Sequence, residues 1–312
     1  MNKYILTVTL NPCIDRTIAI HGFNYGGLNC PLYIRDDVGG KGINVSKVLS
    51  DSGMEICTYA LTAGGNGNKV KECVASVGGR GIFTDCEGET RVNIKLQDTK
   101  SGITTEINDR SFGISEDKAE VIEKTITELL SDCCIMVLSG SLPRGIDKGF
   151  YARLTDKAKE KGVKVILDAD GDKLKEGIGA KPYAIKPNIH EFGQLNGKEY
   201  QNNDELIQDM KKYVDSGISL VAVSMGAEGA IFADKTGVAS AKPFDIKCES
   251  TVGAGDSMVA AMAYCICKGE SLTSIAKHCT AAGTLTSSKK GTEVCSFREI
   301  SERMDEVEIF ET

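Results

Sequence analysis

The sequence predicts a layered α/β protein with a largely parallel sheet and a smaller β-rich appendage near its N-terminus. Three observations carry that expectation. In the second half of the 312 residues, short apolar runs alternate with amphipathic stretches of helical period, the pattern of βαβ units whose strands are covered on both faces. Ahead of them, residues 13–38 and 90–108 show little helical periodicity. Glycine is abundant at 34 residues, about 11% against a usual 7% or so, and many glycines cluster where a strand gives way to a helix.

Residues 4–10 (YILTVTL) read as a buried strand that Asn11 and Pro12 end, and residues 13–38 as loops and short strands. Gly39-Gly40-Lys41-Gly42 opens a helix through about Ser52, with Ile43, Val45, Val48 and Leu49 on its apolar side and Gly53 as its stop. In residues 91–96 (RVNIKL) polar and apolar side chains alternate, as in a strand with one wet face, and residues 104–107 supply a hairpin partner. Ser115 is an N-cap with Glu116 and Asp117 in the first turn, followed at helical spacing by Ala119, Ile122, Ile126 and Leu129. Strands at 135–138 and 163–167 flank a helix marked by Phe150, Leu154 and Ala158 and stopped by Gly162. A strand at 183–185, helices near 189–195 and 205–215, and a strand at 219–223 follow. Residues 230–233 and 238–241 read as a late hairpin, and 256–267 and 275–288 as two closing helices.

Lys plus Arg is 37 against 44 Asp plus Glu, a net charge of −7, which argues against a nucleic-acid binder. Hydrophobic residues at 41% suffice for a sizeable core. The longest apolar run, 259–267, is half the roughly 18 residues of a membrane span. Met1-Asn2-Lys3 leads straight into the first strand without the features of a secretory signal. A cytoplasmic protein with no membrane partner is therefore expected. The 12 cysteines include no C-x-x-C pair and the 3 histidines are scattered, so they are expected to be small buried hydrophobes rather than disulfides or zinc ligands.

The segment most suggestive of chemistry is residues 250–257 (STVGAGDS). Two glycines permit a tight turn with exposed amides, and a helix begins near Asp256. A helix N-terminus with free N–H groups binds anions, and a carboxylate there could accept a proton from a hydroxyl. Anion hole and base together are what phosphoryl transfer to an alcohol needs. Spacing alone leaves open a plain helix start with Asp256 as its cap. No P-loop and no dinucleotide fingerprint is present. Residues 38–44 (VGGKGIN) could hold sugar hydroxyls and a phosphate, or be a helix entry with a surface lysine. Residues 224–229 (SMGAEG) could let a nucleotide approach the backbone, or be a turn. Asn188 and Glu191, three apart, offer hard oxygen atoms that suit Mg²⁺ through water, although N-x-x-E is common.

Taken in order, 10–15 (LNPCID), 39–45 (GGKGINV), 139–143 (SGSLP), Lys186-Pro187-Asn188 with Glu191, and 251–257 (TVGAGDS) resemble the phosphofructokinase-B (pfkB) branch of the ribokinase-like carbohydrate kinases, over essentially the whole chain. The resemblance implies one ribokinase-like α/β domain over 1–312, with a β-sheet lid built from about 12–38 and 88–111. It implies ATP as donor, Mg²⁺, a ketohexose phosphate as acceptor, and a homodimer formed through the lid. By matched position Asp256 is the base, and the amides of Gly253, Ala254 and Gly255 hold the transferring phosphoryl. Asp15, Gly39, Gly40 and Asn44 meet sugar hydroxyls, Lys41 and Arg91 the substrate's own phosphate, and Ser139 the sugar. Lys186, Asn188, Ser224, Gly226, Gly229 and Thr251 fall on the nucleotide side, with Glu191 toward Mg²⁺. Within the branch, residues 90–96 and 45–49 are similar to kinases of fructose 1-phosphate, tagatose-6-phosphate kinases being the near alternative. Two departures, 104–110 (TTEINDR) and Arg144, bear on sugar specificity and not on kinase chemistry. A catalytically silent sensor on the same fold would have no need of Asp256 and its glycines.

Overall fold

The run YILTVT is buried inside a ten-stranded sheet, with Leu6 and Val8 packed on one face and Ile5 on the other, where Thr7 Oγ1 pairs with Ser46 Oγ. The computed structural model describes residues 3–311. In chain order the strands are β1 (Tyr4–Thr9), β2 (Cys13–Ile20), β3 (Tyr33–Gly39), β4 (Ile56–Ala63), β5 (Arg80–Cys86), β6 (Arg91–Asp98), β7 (Ile103–Ile107), β8 (Cys133–Ser139), β9 (Lys164–Asp168), β10 (Ala184–Ile185), β11 (Leu220–Ser224), β12 (Ala230–Asp234), β13 (Gly237–Lys242) and β14 (Glu308–Glu311). The helices are α1 (Lys41–Leu49), α2 (Gly64–Val77), α3 (Glu116–Glu128), α4 (Phe150–Glu160), α5 (Gly171–Gly179), α6 (Ile189–Asn196), α7 (Asn203–Asp215), α8 (Ala254–Lys268), α9 (Leu272–Ser287) and α10 (Phe297–Arg303).

The large sheet runs β14-β13-β12-β11-β10-β9-β8-β1-β4-β5. It is parallel from β5 to β11 and antiparallel from β11 to β14. Helices cover both faces. On one side Ile122, Phe150, Leu174, Phe192 and Met210 pack under α3 to α7. On the other, Val45, Val259, Met262 and Ile275 bring α1, α8 and α9 together. The carboxyl ends of β1, β8, β9 and β11 therefore open along one edge, where ligands bind in such sheets.

A second sheet, β3-β2-β6-β7, draws its strands from the two segments with little helical periodicity. β2 and β6 pair in parallel, setting Cys13 against Arg91 and Asp15 against Asn93. Residues 13–38 are thus two long strands and a loop rather than short pieces. The apolar alternation that would have revealed β3 is absent, because Tyr33 and Ile34 face solvent.

Other differences are local. α1 ends at Leu49 rather than Ser52, with Gly40 as its N-cap. α8 starts two residues ahead of Asp256, with Gly253 as its cap. Residues 56–86 hold a complete β4-α2-β5 unit that the sequence hides, since α2 opens on the poor helix formers Gly64-Gly65-Asn66-Gly67. Six cysteines are buried as expected, but Cys30 and Cys248 are exposed and four are half-buried. Among the described residues no helix is long and apolar enough to cross a membrane.

Candidate active site

A cavity of about 920 Å³ lies along the carboxyl edge of the large sheet, beneath the small one. Every residue singled out from the sequence lines it except Gly39. Gly39 is the last residue of β3 and sits behind the wall. A methyl there would lie 2.6 Å from Asp15 Oδ2, so this glycine makes room for a neighbour rather than meeting a ligand.

The floor is the turn before α8. Gly253 takes φ 81°, a left-handed conformation natural to glycine, and caps a helix of fifteen residues. Ser257 donates back to the Gly253 carbonyl, and the Ala254 amide reaches the Thr251 carbonyl only at 3.4 Å. The amides of Gly253, Gly255 and Asp256 meet no acceptor among the described residues. They point, with the positive end of the helix dipole, at the cavity.

Asp256 stands in the first turn of α8 and is 7% exposed. Asn44 Nδ2 from α1 donates to its Oδ2 at 2.8 Å. Burial pushes the Asp256 carboxyl above its ordinary value; Lys41, Asn44 and Lys186 work against that shift and Asp168 adds to it. Asp256 is thus a charged-or-neutral carboxyl held at a cavity wall, not a helix cap.

Beside it lies a charge relay, buried at Asp168 and Lys186 and half-exposed at Lys41. Asp168, the last residue of β9, receives Lys41 Nζ at 3.0 Å and Lys186 Nζ at 3.4 Å. Burial alone would raise the Asp168 carboxyl, but Lys186 and Lys41 outweigh it and hold it below the usual range. Burial alone would likewise lower the Lys41 ammonium; Asp168 and Asp256 win, and it stays protonated. Lys186 leans over the α8 turn, and a methyl on Gly255 would come within 3.2 Å of its Nζ. Glycine at 255 therefore lets a cation approach the open amides.

At the other end, Asn93 donates to Asp15 Oδ1 at 3.1 Å and Lys95 stands 3.8 Å from Oδ2. Arg91 reaches the Asn11 carbonyl at 3.2 Å, while its Nε has no partner among the described residues. On this wall buried Thr9 Oγ1, Asn11 Oδ1 and Ser139 Oγ also lack partners among the described residues. Buried polar atoms seldom stay unpaired, so these are free to bond a polar ligand. On the opposite flank Ser224 pairs with Asn188. Gly229 takes φ 94° and closes the turn after β11. Asn188 and Glu191 form a capping box on α6, each side chain bonded to the other's amide at 2.9 and 2.8 Å.

Asp168, Asn93, Lys95 and the α9 residues Thr280 and Thr284 were not anticipated. Asp168 carried a usable signal, an apolar run ending in a carboxylate at the mouth of a parallel sheet. The others carried none.

Comparison with known proteins shows the family and the fold. The sequence pattern described as pfkB family carbohydrate kinase matches residues 8–298. A 1-phosphofructokinase of Borreliella burgdorferi is 33% identical over 306 residues, 98% of each chain. A tagatose-6-phosphate kinase of Staphylococcus epidermidis is 31% identical over 310 residues, 98% of this chain and 99% of that one. The crystal structure of phosphofructokinase-2 from Escherichia coli in complex with potassium superposes with a TM-score of 0.91 at 26% identity, covering 98% of this chain and 99% of that chain.

Proposed function

This chain belongs to the pfkB family of carbohydrate kinases, and on that premise we propose that it transfers the γ-phosphoryl group of ATP to a hydroxyl of fructose 1-phosphate, giving fructose 1,6-bisphosphate. Its fold is ribokinase-like and its activity that of a phosphotransferase with a sugar hydroxyl as acceptor. One observation supports the reading above the rest: a buried carboxylate, Asp256, shares a single turn with the amides of Gly253 and Gly255, which meet no acceptor among the described residues.

The Asp256 carboxylate takes the proton from the attacking hydroxyl, its ionised form favoured by Asn44 and opposed by burial. The amides of Gly253 and Gly255, with the Lys186 ammonium above them, stabilise charge on the phosphoryl oxygens in flight. Lys41, tied to Asp168 and close to Asp256, belongs with this group rather than with the sugar's own phosphate. Arg91 receives that phosphate, since a dianion needs charge-assisted donors and Arg91 Nε has no partner among the described residues, and Ser139 meets the sugar. Asp15, Gly40 and Asn44 orient the hydroxyls. Thr251, Ser224, Gly226, Gly229 and Asn188 line the nucleotide side. Among the described residues no group of three carboxylate, His or Cys side chains forms a cage. Glu191 is tied through one carboxylate oxygen only. That set fits Mg²⁺ held by one carboxylate, water and nucleotide phosphates, where it would neutralise phosphate charge.

The small sheet acts as a lid that keeps water from competing as acceptor. Ile34 in β3 and Tyr25, Leu28 and Leu32 in the loop ahead of it are exposed, apolar surface that favours pairing of two copies. Sedimentation velocity at micromolar concentration reads that pairing directly. The activity test is kcat/KM for fructose 1-phosphate, fructose 6-phosphate and tagatose 6-phosphate with ATP and Mg²⁺. Fructose 1-phosphate is expected to lead. A lead for tagatose 6-phosphate would reassign the substrate, and no turnover of any of the three would overturn the reading.

A further inference from the structure

Lys47 is not on the cavity wall, yet it touches the residue that touches Asp256. Its Nζ donates to the Val38 carbonyl at 2.7 Å and to Asn44 Oδ1 at 3.3 Å. Asn44 Nδ2 donates in turn to Asp256 Oδ2 at 2.8 Å. An asparagine amide can be turned over with little change of shape, so only its partners decide which end faces where. A lysine ammonium carries donors and no acceptor. It therefore donates to the amide oxygen and offers nothing to the NH₂ group, and its bond to the Val38 carbonyl anchors it in place.

We propose that Lys47 is a positioning residue for phosphoryl transfer: it turns the Asn44 amide so that its N–H, and not its oxygen, faces the Asp256 carboxylate. The proposal rests on Asp256 as the base. Without Lys47 the two orientations of Asn44 are no longer distinguished at that end. The reversed one sets an oxygen against a carboxylate and favours the protonated, inactive acid. Three other charged groups face Asp256: Lys41 from α1, Asp168 from the end of β9, and Lys186 beyond β10. None of them is bonded to Asn44 Oδ1 among the described residues, so none can take over the orienting role.

The test is made on the full chain with Lys47→Met, Lys47→Gln and Lys47→Arg. Methionine removes all donors. Glutamine keeps a bond to Val38, and with it the fold, but offers an acceptor as well as donors and so no longer dictates the amide. Both should lower kcat about ten- to a hundredfold, the size of one charge-assisted hydrogen bond, with KM for ATP unchanged. Both should move the acid limb of the kcat/KM profile to higher pH. Arginine should restore most of the rate and the limb. In an Asn44→Ala background, Lys47→Met should cost little more, because there is no amide left to orient. An unmoved acid limb in both variants, or a full additive loss in the Asn44→Ala background, overturns the proposal. Asp256→Asn separates the two readings: if it keeps near-normal turnover, the base assignment fails, whereas an inactive Asp256→Asn beside normal Lys47 variants sinks only the role of Lys47.

Discussion

Asp168→Asn removes the one negative charge between two ammonium groups. The Asp168 side chain is 2% exposed and that of Lys186 4%, with 3.4 Å between charges; Lys41 stands at 3.0 Å but is 39% exposed. At an effective dielectric constant of about 20, each contact is worth roughly 5 kcal/mol before the penalty of burial, which takes back several kcal/mol per ion. Water screens the Lys41 arm, so that pair adds little. The Lys186 arm behaves as a buried pair broken from one side, which costs about 3–5 kcal/mol. An asparagine still accepts one hydrogen bond, so a loss of about 3 kcal/mol at pH 7 is expected. Because the two lysines hold Asp168 below the ordinary carboxylate value of 3.8, its contribution is complete above that value and is lost as pH falls through the folded one. The gap between wild type and variant should therefore be flat above about pH 5 and narrow below about pH 4. Urea unfolding from pH 3.5 to 8 measures it. A loss under about 1 kcal/mol at pH 7, or a gap that widens toward acid, refutes the reasoning.

Other outcomes follow from the same geometry. Since burial raises the Asp256 carboxyl and activity needs it ionised, kcat/KM should fall on the acid side with an apparent pKa above 3.8. Asp168→Asn should shift that limb downward, because it removes a negative neighbour and releases two positive ones; a limb that moves up contradicts the charge relay. Arg91→Ala should raise KM for the sugar phosphate about ten- to a hundredfold, one charge-assisted contact, and leave KM for ATP alone. A change confined to ATP would place the phosphate clamp elsewhere. Gly229→Ala puts a methyl 2.0 Å from the Ala241 carbonyl oxygen at φ 94°. It should open the β12–β13 end of the cavity and weaken ATP binding with little effect on the sugar's KM, read by calorimetry with a non-hydrolysable ATP analogue.

The site was more legible in the sequence than the fold around it. Turns that bind ligands need particular residues at fixed spacing, so Gly253, Gly255 and Asp256, or Gly40 and Asn44, announce themselves locally. Asp168 shows only its place at the end of an apolar run, because its charge partners Lys41, at the start of α1, and Lys186, just past β10, are distant in sequence. Glu191 was legible as an oxygen donor, but its tie to Asn188 is equally a helix cap, and sequence cannot weigh the two. In the fold, strands buried on both faces and amphipathic helices were read correctly. The β4-α2-β5 unit was not, since a glycine-rich helix start looks like a loop until tertiary contacts hold it. β3 is hidden in the sequence because Tyr33 and Ile34 face solvent, so no apolar alternation marks it.

The most direct measurement is steady-state turnover of purified, folded Asp256→Asn with ATP, Mg²⁺ and fructose 1-phosphate. Loss of a general base lowers kcat by about 10²–10⁴, and KM for both substrates should stay within a few-fold of wild type. Turnover near the wild-type rate would contradict the assignment of this carboxylate as the proton acceptor, and with it the account of the site.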